Sequence, residues 1–489
     1  MTTVDSVAAL PEDVIRRRRM ILIATILGSS MAFVDASVVN IALPTIGRDL
    51  SAGLGAQQWI ALSYSLAVAS LYIVAGSLGD RYGRWRLFVS GVAGFAAASL
   101  LAAIAPNTAM LITARVLQGV AGAMLTTNSL ALLRATYGAD SGRAVGQWTA
   151  WSGISSMIGP PAGGLLVQYA SWRLIFLINL PAALVAIAAA WYGRDREALP
   201  THPRPLQPVG AVAIALTFGA LTYGLIEGAQ VGFASVLWAF GLSLAGLVLF
   251  VVSERRGANP ILPLELLRAR VFVAANVYTL LVYAALGGSS FYLALYLQSG
   301  AVGYSPTRAS LIFLPISVVM FFIAARFGRL SDRDGPRRYL TAAPLVMAVG
   351  FVLLTFVTST SLLVPLPGVL VMSLGLAMLV APITSTALKA APDEFAGLAA
   401  GVNTTVSRLG GLIATPLLGV VITLVFTASA SPSDADPFSK HLNPDQQQAT
   451  IDAFRAGIAT AVALCLAGSL LAARELRSET GAEAVAAGE

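Results

Sequence analysis

Charge is scarce in this chain. Asp, Glu, Lys and Arg make up 11% of its 489 residues, against about 25% in an average soluble domain. With 57% hydrophobic residues and a mean hydropathy of +0.77, so few polar groups cannot cover a soluble globule of this length. The composition belongs in a lipid bilayer. Cysteine is almost absent: Cys465 alone excludes an internal disulfide or a thiolate metal site. The two histidines, His202 and His441, both lie in polar segments, so an intramembrane imidazole cluster is excluded and no metal is expected. No Gly-x-x-x-x-Gly-Lys-[Ser/Thr] phosphate loop occurs, which removes a nucleotide-driven pump. Lysine is nearly missing beside arginine, and with abundant alanine and glycine this fits a GC-rich bacterial genome.

Long apolar runs fill the chain instead. Crossing about 30 Å of hydrocarbon takes roughly 20 helical residues, and fourteen such runs can be drawn, near 20–43, 57–77, 86–105, 108–133, 144–168, 173–192, 209–227, 234–253, 271–297, 307–327, 338–357, 362–388, 396–427 and 453–473. Arg16 to Arg19 before the first run imitate a secretory signal, but the run continues past Asp35 to Leu43 without a convincing small-residue cleavage site. It reads as an uncleaved first helix. Of 31 Lys and Arg residues, 24 fall on the side of the N-terminus and 5 on the other, while Arg115 and Arg408 lie within spans. Positive loops stay in the cytoplasm, so both termini are expected there, with no nucleic-acid partner for the basic residues.

One signature occurs twice at a constant displacement of 252 residues. Gly76, Leu78, Asp80, Arg81 and Gly83 are matched by Gly328, Leu330, Asp332, Arg333 and Gly335. Duplication on this scale marks a transporter built from two related helical halves. The copies follow helices 2 and 10, eight apart, where two six-helix halves alone would put them six apart. Two helices are therefore inserted. The expected organisation is an N-terminal six-helix bundle (1–200), a Pro-rich linker near Pro200–Pro208 with two inserted helices (201–265), and a C-terminal six-helix bundle (266–489).

These residues resemble the major facilitator superfamily, and in particular its fourteen-helix drug:proton antiporter branch. The duplicated loop matches the superfamily's Gly-x-Leu-x-Asp-Arg-x-Gly-Arg pattern, complete through Arg84 in the first copy and with Pro336 in place of the last Arg in the second. Asp35 to Pro44 is similar to the branch's helix-1 signature, and Arg115, Gln118, Gly119 and Gly122 resemble the superfamily's helix-4 pattern. In helix 5, Gly159, Pro160, Gly163 and Gly164 match the antiporter motif, with Ser155 standing where glycine is usual. The resemblance implies an all-α integral membrane protein with the major facilitator fold. It also implies that Asp80 latches a cytoplasmic gate at the start of helix 13, near Ala396 to Leu398, with Asp332 facing the start of helix 5 by pseudo-symmetry.

The residues themselves suggest roles. Gly83 and Gly335 permit tight turns, and Asp80 and Asp332 suit positive helix N-termini; with Arg81, Arg84 and Arg333 they form the candidate gate. Pro160 bends helix 5 while its glycines let another helix approach. Intramembrane charge marks a pathway. Asp35 is the one deep carboxylate, hence the candidate proton carrier, with Arg115 as its modulator; a purely structural ion pair is the alternative. Trp59, Tyr64, Gln118, Tyr292, Tyr296, Gln298, Asn403 and Arg408 are candidates for a substrate cavity. The expected function is export of amphipathic, monocationic or neutral drugs and biocides in exchange for protons. A dedicated exporter of one metabolite, lipid or antibiotic is the alternative. The expected protein is not an enzyme, uses no cofactor beyond the proton gradient, and works as a monomer in a bacterial inner membrane.

Overall fold

The computed structural model describes residues 11–194, 208–256, 268–392, 396–429 and 436–476, together with Leu266. Apart from single 3-10 turns, its elements are α-helices. Six make the first half: α1 (Glu12–Asp49), α2 (Leu54–Tyr82), α3 (Arg84–Ala103), α4 (Thr108–Tyr137), α5 (Ser141–Tyr169) and α6 (Leu174–Tyr192), the last interrupted only at Ile178. Then come α7 (Pro208–Val231) and α8 (Leu237–Arg256). The rest are α9 (Arg270–Gln298), α10 (Pro306–Asp334), α11 (Pro336–Leu354), α12 (Pro365–Lys389), α13 (Ala396–Ser429) and α14 (Pro444–Glu475).

Each apolar run of the sequence lies on one of these helices. Twelve are long and apolar enough to cross a membrane, and the bent α2 makes a thirteenth. The fourteenth, α5, is rich in Gly, Ser and Pro, which lowers its hydropathy, and it packs between α1 and α10. The start of α14 is set by its cap and not by hydropathy. The helix expected from 453 starts at Pro444, because Asn443 accepts the Gln446 N–H (2.8 Å) while the Gln446 side chain accepts the Asn443 N–H (3.0 Å).

Packing repeats with a displacement of eight helices. In the first half α1 lies against α5 and α6, and α4 against α2 and α3; in the second, α9 lies against α13 and α14, and α12 against α10 and α11. The halves meet through α5–α10 and α2–α13, which are themselves related by that displacement. The expected boundaries at 200 and 265, and the linker before Pro208, fall outside the described residues. Helix α7 covers the α2–α13 seam: Ile226 and Phe218 join Leu62, Leu66, Leu409 and Leu412 in one apolar cluster. Helix α8 packs chiefly on α7, and only 17% of its most apolar stretch is buried, so it lies at the periphery.

The signature-bearing ends of α2 and α10 turn sharply. Gly83 (φ 99°) and Gly335 (φ 84°) take the left-handed region that favours glycine, each both ending one helix and starting the next. The structure also holds a bend that the sequence reading missed. Helix α2 turns by 54° between Tyr72 and Val74. Just beyond, the Asn128 side chain of α4 donates to the Ala75 carbonyl (3.2 Å), an intrusion into the helical ladder of the kind that bends helices.

Candidate functional site

Helix α1 carries Asp35 into the middle of the first half, where it is 0% exposed. Four other helices converge on it. Arg115 of α4, 1% exposed, pairs with Asp35 Oδ2 through its terminal guanidinium nitrogen. Gln118, one turn further along α4, donates to Asp35 Oδ1 (3.1 Å) and accepts from Arg115 (2.8 Å). Asn179 of α6 donates to the same Oδ1 (3.5 Å). Ser99 of α3 accepts from both Gln118 (2.9 Å) and Asn179 (3.2 Å). Arg115 Nε donates to the Ile60 carbonyl of α2 (3.2 Å), and its guanidinium lies over the Tyr64 ring (4.6 Å). A buried ion pair needs such satisfaction, since its desolvation cost otherwise exceeds the Coulombic gain. One carboxylate thus ties α1 to α2, α3, α4 and α6.

A cavity of about 140 Å³ lies beside this network, between the halves. The first half contributes Ala36, Val39 and Asn40 of α1, Tyr64 and Ser65 of α2, and Arg115. The second contributes Gly287 and Phe291 of α9 and Arg408, Leu412 and Thr415 of α13. No lining residue comes from α7 or α8. Drug-sized sites enclose roughly 300–1,000 Å³, so this conformer is constricted and a bulky ligand requires the halves to separate.

Toward the far end from the duplicated loops the cavity is closed by contacts between halves. The Gln58 amide meets the Tyr292 hydroxyl, which itself donates to the Thr415 carbonyl (2.8 Å). Gln298 of α9 donates to the Ile41 carbonyl of α1 (3.0 Å). Thr307 of α10 donates from its backbone N–H to the Gln168 side chain (3.2 Å) and from its hydroxyl to the Gly164 carbonyl (3.1 Å). A strap before α14 completes the closure. There Phe438 packs on the Tyr292 ring (5.8 Å), and Asp436 accepts from the backbone N–H groups of Phe438 and of Leu54 at the start of α2. Burial raises the Asp436 carboxyl above the ordinary range, against the lowering effect of those two N–H groups.

Glycine explains why α5 fits between the halves. A Cβ at Gly159 would lie 2.2 Å from Ser37 Oγ, and one at Gly163 would lie 1.9 Å from Val38 Cγ2, both on α1. At Gly164 it would meet Ser310 Oγ of α10 at 2.3 Å. Pro160 lies inside one continuous helix with Pro161. Ser155, the departure from glycine, donates to the Trp151 carbonyl (2.9 Å) and bonds Ser30 of α1 (2.7 Å).

The candidate residues from the sequence divide. Asp35, Arg115 and Gln118 form one site, and Tyr64, Arg115 and Arg408 line the cavity. Gln118 serves the carboxylate and does not line the cavity. Tyr296 does not line it either: it stacks on Phe454 at 3.9 Å and donates to the Val357 carbonyl (2.6 Å), a core role. Asn403 ties α13 to Thr279 of α9 (2.9 Å), and Trp59 lies against Tyr223 of α7 (6.5 Å). Tyr292 and Gln298 belong to the far-end closure. The latch partners also differ in this conformer. Asp80 accepts from Arg84 (2.9 and 3.1 Å) instead of the α13 start, and Asp332 pairs with Lys389 of α12 (3.2 Å) instead of the α5 start. Arg81 lies over the Tyr82 ring (5.7 Å), and Arg333 pairs with Asp334 (2.9 Å). With the far end closed, these loop aspartates are held within their own halves.

Comparison with known proteins agrees with the geometry. Residues 25–415 match the Major Facilitator Superfamily. The chain is 35% identical over 439 residues to the multidrug resistance protein Stp of Mycobacterium tuberculosis (strain CDC 1551 / Oshkosh), covering 87% of this chain and 81% of that protein. It is 34% identical to the probable actinorhodin transporter of Streptomyces coelicolor, covering 86% and 76%. Among solved structures, a bacterial homolog of the human lysosomal transporter Spinster superposes with a TM-score of 0.67 at 17% identity, over 94% of this chain and 98% of that one.

Proposed function

Because this chain belongs to the major facilitator superfamily, a family of multi-pass transporters and not of enzymes, we propose that it is a proton-coupled antiporter expelling amphipathic small molecules by alternating access. Relatives named as a multidrug resistance protein and as a probable actinorhodin transporter support the cargo class. The positive-inside charge bias supports cytoplasmic termini, and a bacterial inner membrane is the setting this reading assumes. The signature-bearing end is then cytoplasmic, and the far-end closure means that this conformer is closed to the outside.

The observation that carries the coupling is the fully buried Asp35 with three donors from two helices. Ionised, it holds α1 against α4 and α6, and α1 is the helix that touches both α5 and the far-end closure. A proton on Asp35 breaks the pair with Arg115 and loosens that packing. Proton and cargo then drive opposite conformers without sharing a site, which is sufficient for exchange. Multidrug efflux and dedicated export of one compound remain two forms of this reading, separated by the breadth of substrates.

The test uses inside-out vesicles and a panel of dyes and antibiotics of each charge. An imposed pH gradient, acidic inside, should drive uptake of at least one compound, and a protonophore should abolish it. Uptake that ignores the gradient would refute proton coupling.

A further inference from the structure

The charge inside the cavity points to the chemistry of the cargo. Asp35 and Arg115 neutralise each other, and the Asp35 carboxylate does not line the cavity. Arg408 of α13 does line it. Among the described residues no carboxylate pairs with Arg408; its guanidinium lies only over the Tyr72 ring, 5.9 Å from the centroid. Arginine carries five donors in a planar fork matched to carboxylates and other oxyanions. A cation held within a membrane-spanning helix without a counter-ion is costly, and such residues mark substrate pathways. Around it Phe291, Leu412, Val39 and the Tyr64 ring supply apolar and aromatic surface, with Asn40, Ser65 and Thr415 adding polar groups.

We propose that Arg408 is the recognition residue for an acidic oxygen, a carboxylate or phenolate, on an otherwise aromatic or apolar cargo. This rests on the export reading above and names its substrate class. It departs from the expectation of a monocationic or neutral cargo, because the one deep carboxylate, Asp35, already accepts from Arg115, Gln118 and Asn179. A monocation would instead place a second positive charge near Arg408, a repulsion worth on the order of 100-fold in affinity at about 5 Å in a partly hydrated site. An acid brings the cavity to neutrality and fills the arginine fork. A charge-assisted hydrogen bond of this kind is worth about tenfold to hundredfold.

Binding to the purified protein in lipid nanodiscs tests this without a gradient. The probes are anthraquinone-2-carboxylate, its uncharged carboxamide, and the monocation ethidium. The carboxylate should bind at least about tenfold more tightly than the carboxamide, with ethidium weakest. Arg408→Gln should reduce the carboxylate-to-carboxamide ratio to about one while carboxamide binding persists; Arg408→Lys should keep part of it. Monodisperse elution of both variants guards against misfolding. Equal binding of acid and amide, tightest binding of ethidium, or a preference that survives Arg408→Gln would overturn the site. Gradient-driven transport of ethidium without any acid preference would keep the export reading and sink this one. Acid-selective binding with no gradient-driven transport of any probe would do the reverse.

Discussion

Replacing Asp35 with Asn leaves Arg115 buried without its counter-ion. Breaking a buried pair by removing one partner costs about 3–5 kcal/mol. Here Arg115 keeps the Gln118 side chain at 2.8 Å, the Ile60 carbonyl at 3.2 Å and the face of Tyr64, and the amide oxygen of Asn can still accept from Gln118. The loss should therefore sit at the lower end, about 3 kcal/mol. Arg115→Gln leaves a buried carboxylate with only amide donors and should cost a similar amount. In the double variant neither charge remains, so the two losses should not add, with a coupling of about 1–3 kcal/mol. Equilibrium unfolding of the four proteins in detergent micelles gives the cycle. Additivity within about 0.5 kcal/mol would refute the pair as the keystone of the first half.

Three other perturbations read the gates. Gly164→Ala puts a methyl group 2.3 Å from Ser310 Oγ and 2.9 Å from the Pro306 carbonyl of α10, so far-end closure should weaken by about 1–3 kcal/mol; spin-label distances across α5 and α10 should lengthen, and an unchanged distribution would contradict the packing. The raised Asp436 carboxyl means that the closed strap binds a proton more readily than a solvated one. Closure should therefore be strongest at pH values below the ordinary carboxylate range near 4 and weaken as pH rises through the raised value; distances between Lys440 and Ser51 labels should follow pH, and Asp436→Asn should flatten the response. Asp80→Asn removes the Arg84 pair and the charge of the expected latch, shifting the conformer population by about 0.3–2 kcal/mol. Unchanged distances between the cytoplasmic ends of α2 and α13, with unchanged turnover, would count against that latch.

Fourteen helices could be read from the sequence because lipid imposes a length and an apolarity on each, and a constant displacement of 252 residues exposed the duplication. Asp35 and Arg115 stood out for the same reason: charge in an apolar run needs a partner. Asn179 and Ser99 were missed, although Asn179 stands as a strong amide inside the apolar run of α6 and the same logic would have found it. Serine gives no such signal, being common in membrane helices. The substrate candidates fared less well, since an aromatic or amide side chain looks alike in the sequence whether it faces a cavity, as Tyr64 does, or the core, as Tyr296 does. Which aspartate pairs with which partner, as at Asp80, depends on the conformer, and no spacing rule encodes that.

The central claim is that Asp35 carries the proton exchanged for cargo. Purified protein in liposomes with a pH dye trapped inside, and no initial pH gradient, tests it when the best-transported compound of the vesicle panel is added to one side. Downhill movement of that compound should shift the luminal pH in the wild type, and Asp35→Asn, eluting as a folded monodisperse protein, should show no shift. A pH change of wild-type size in Asp35→Asn would contradict the account.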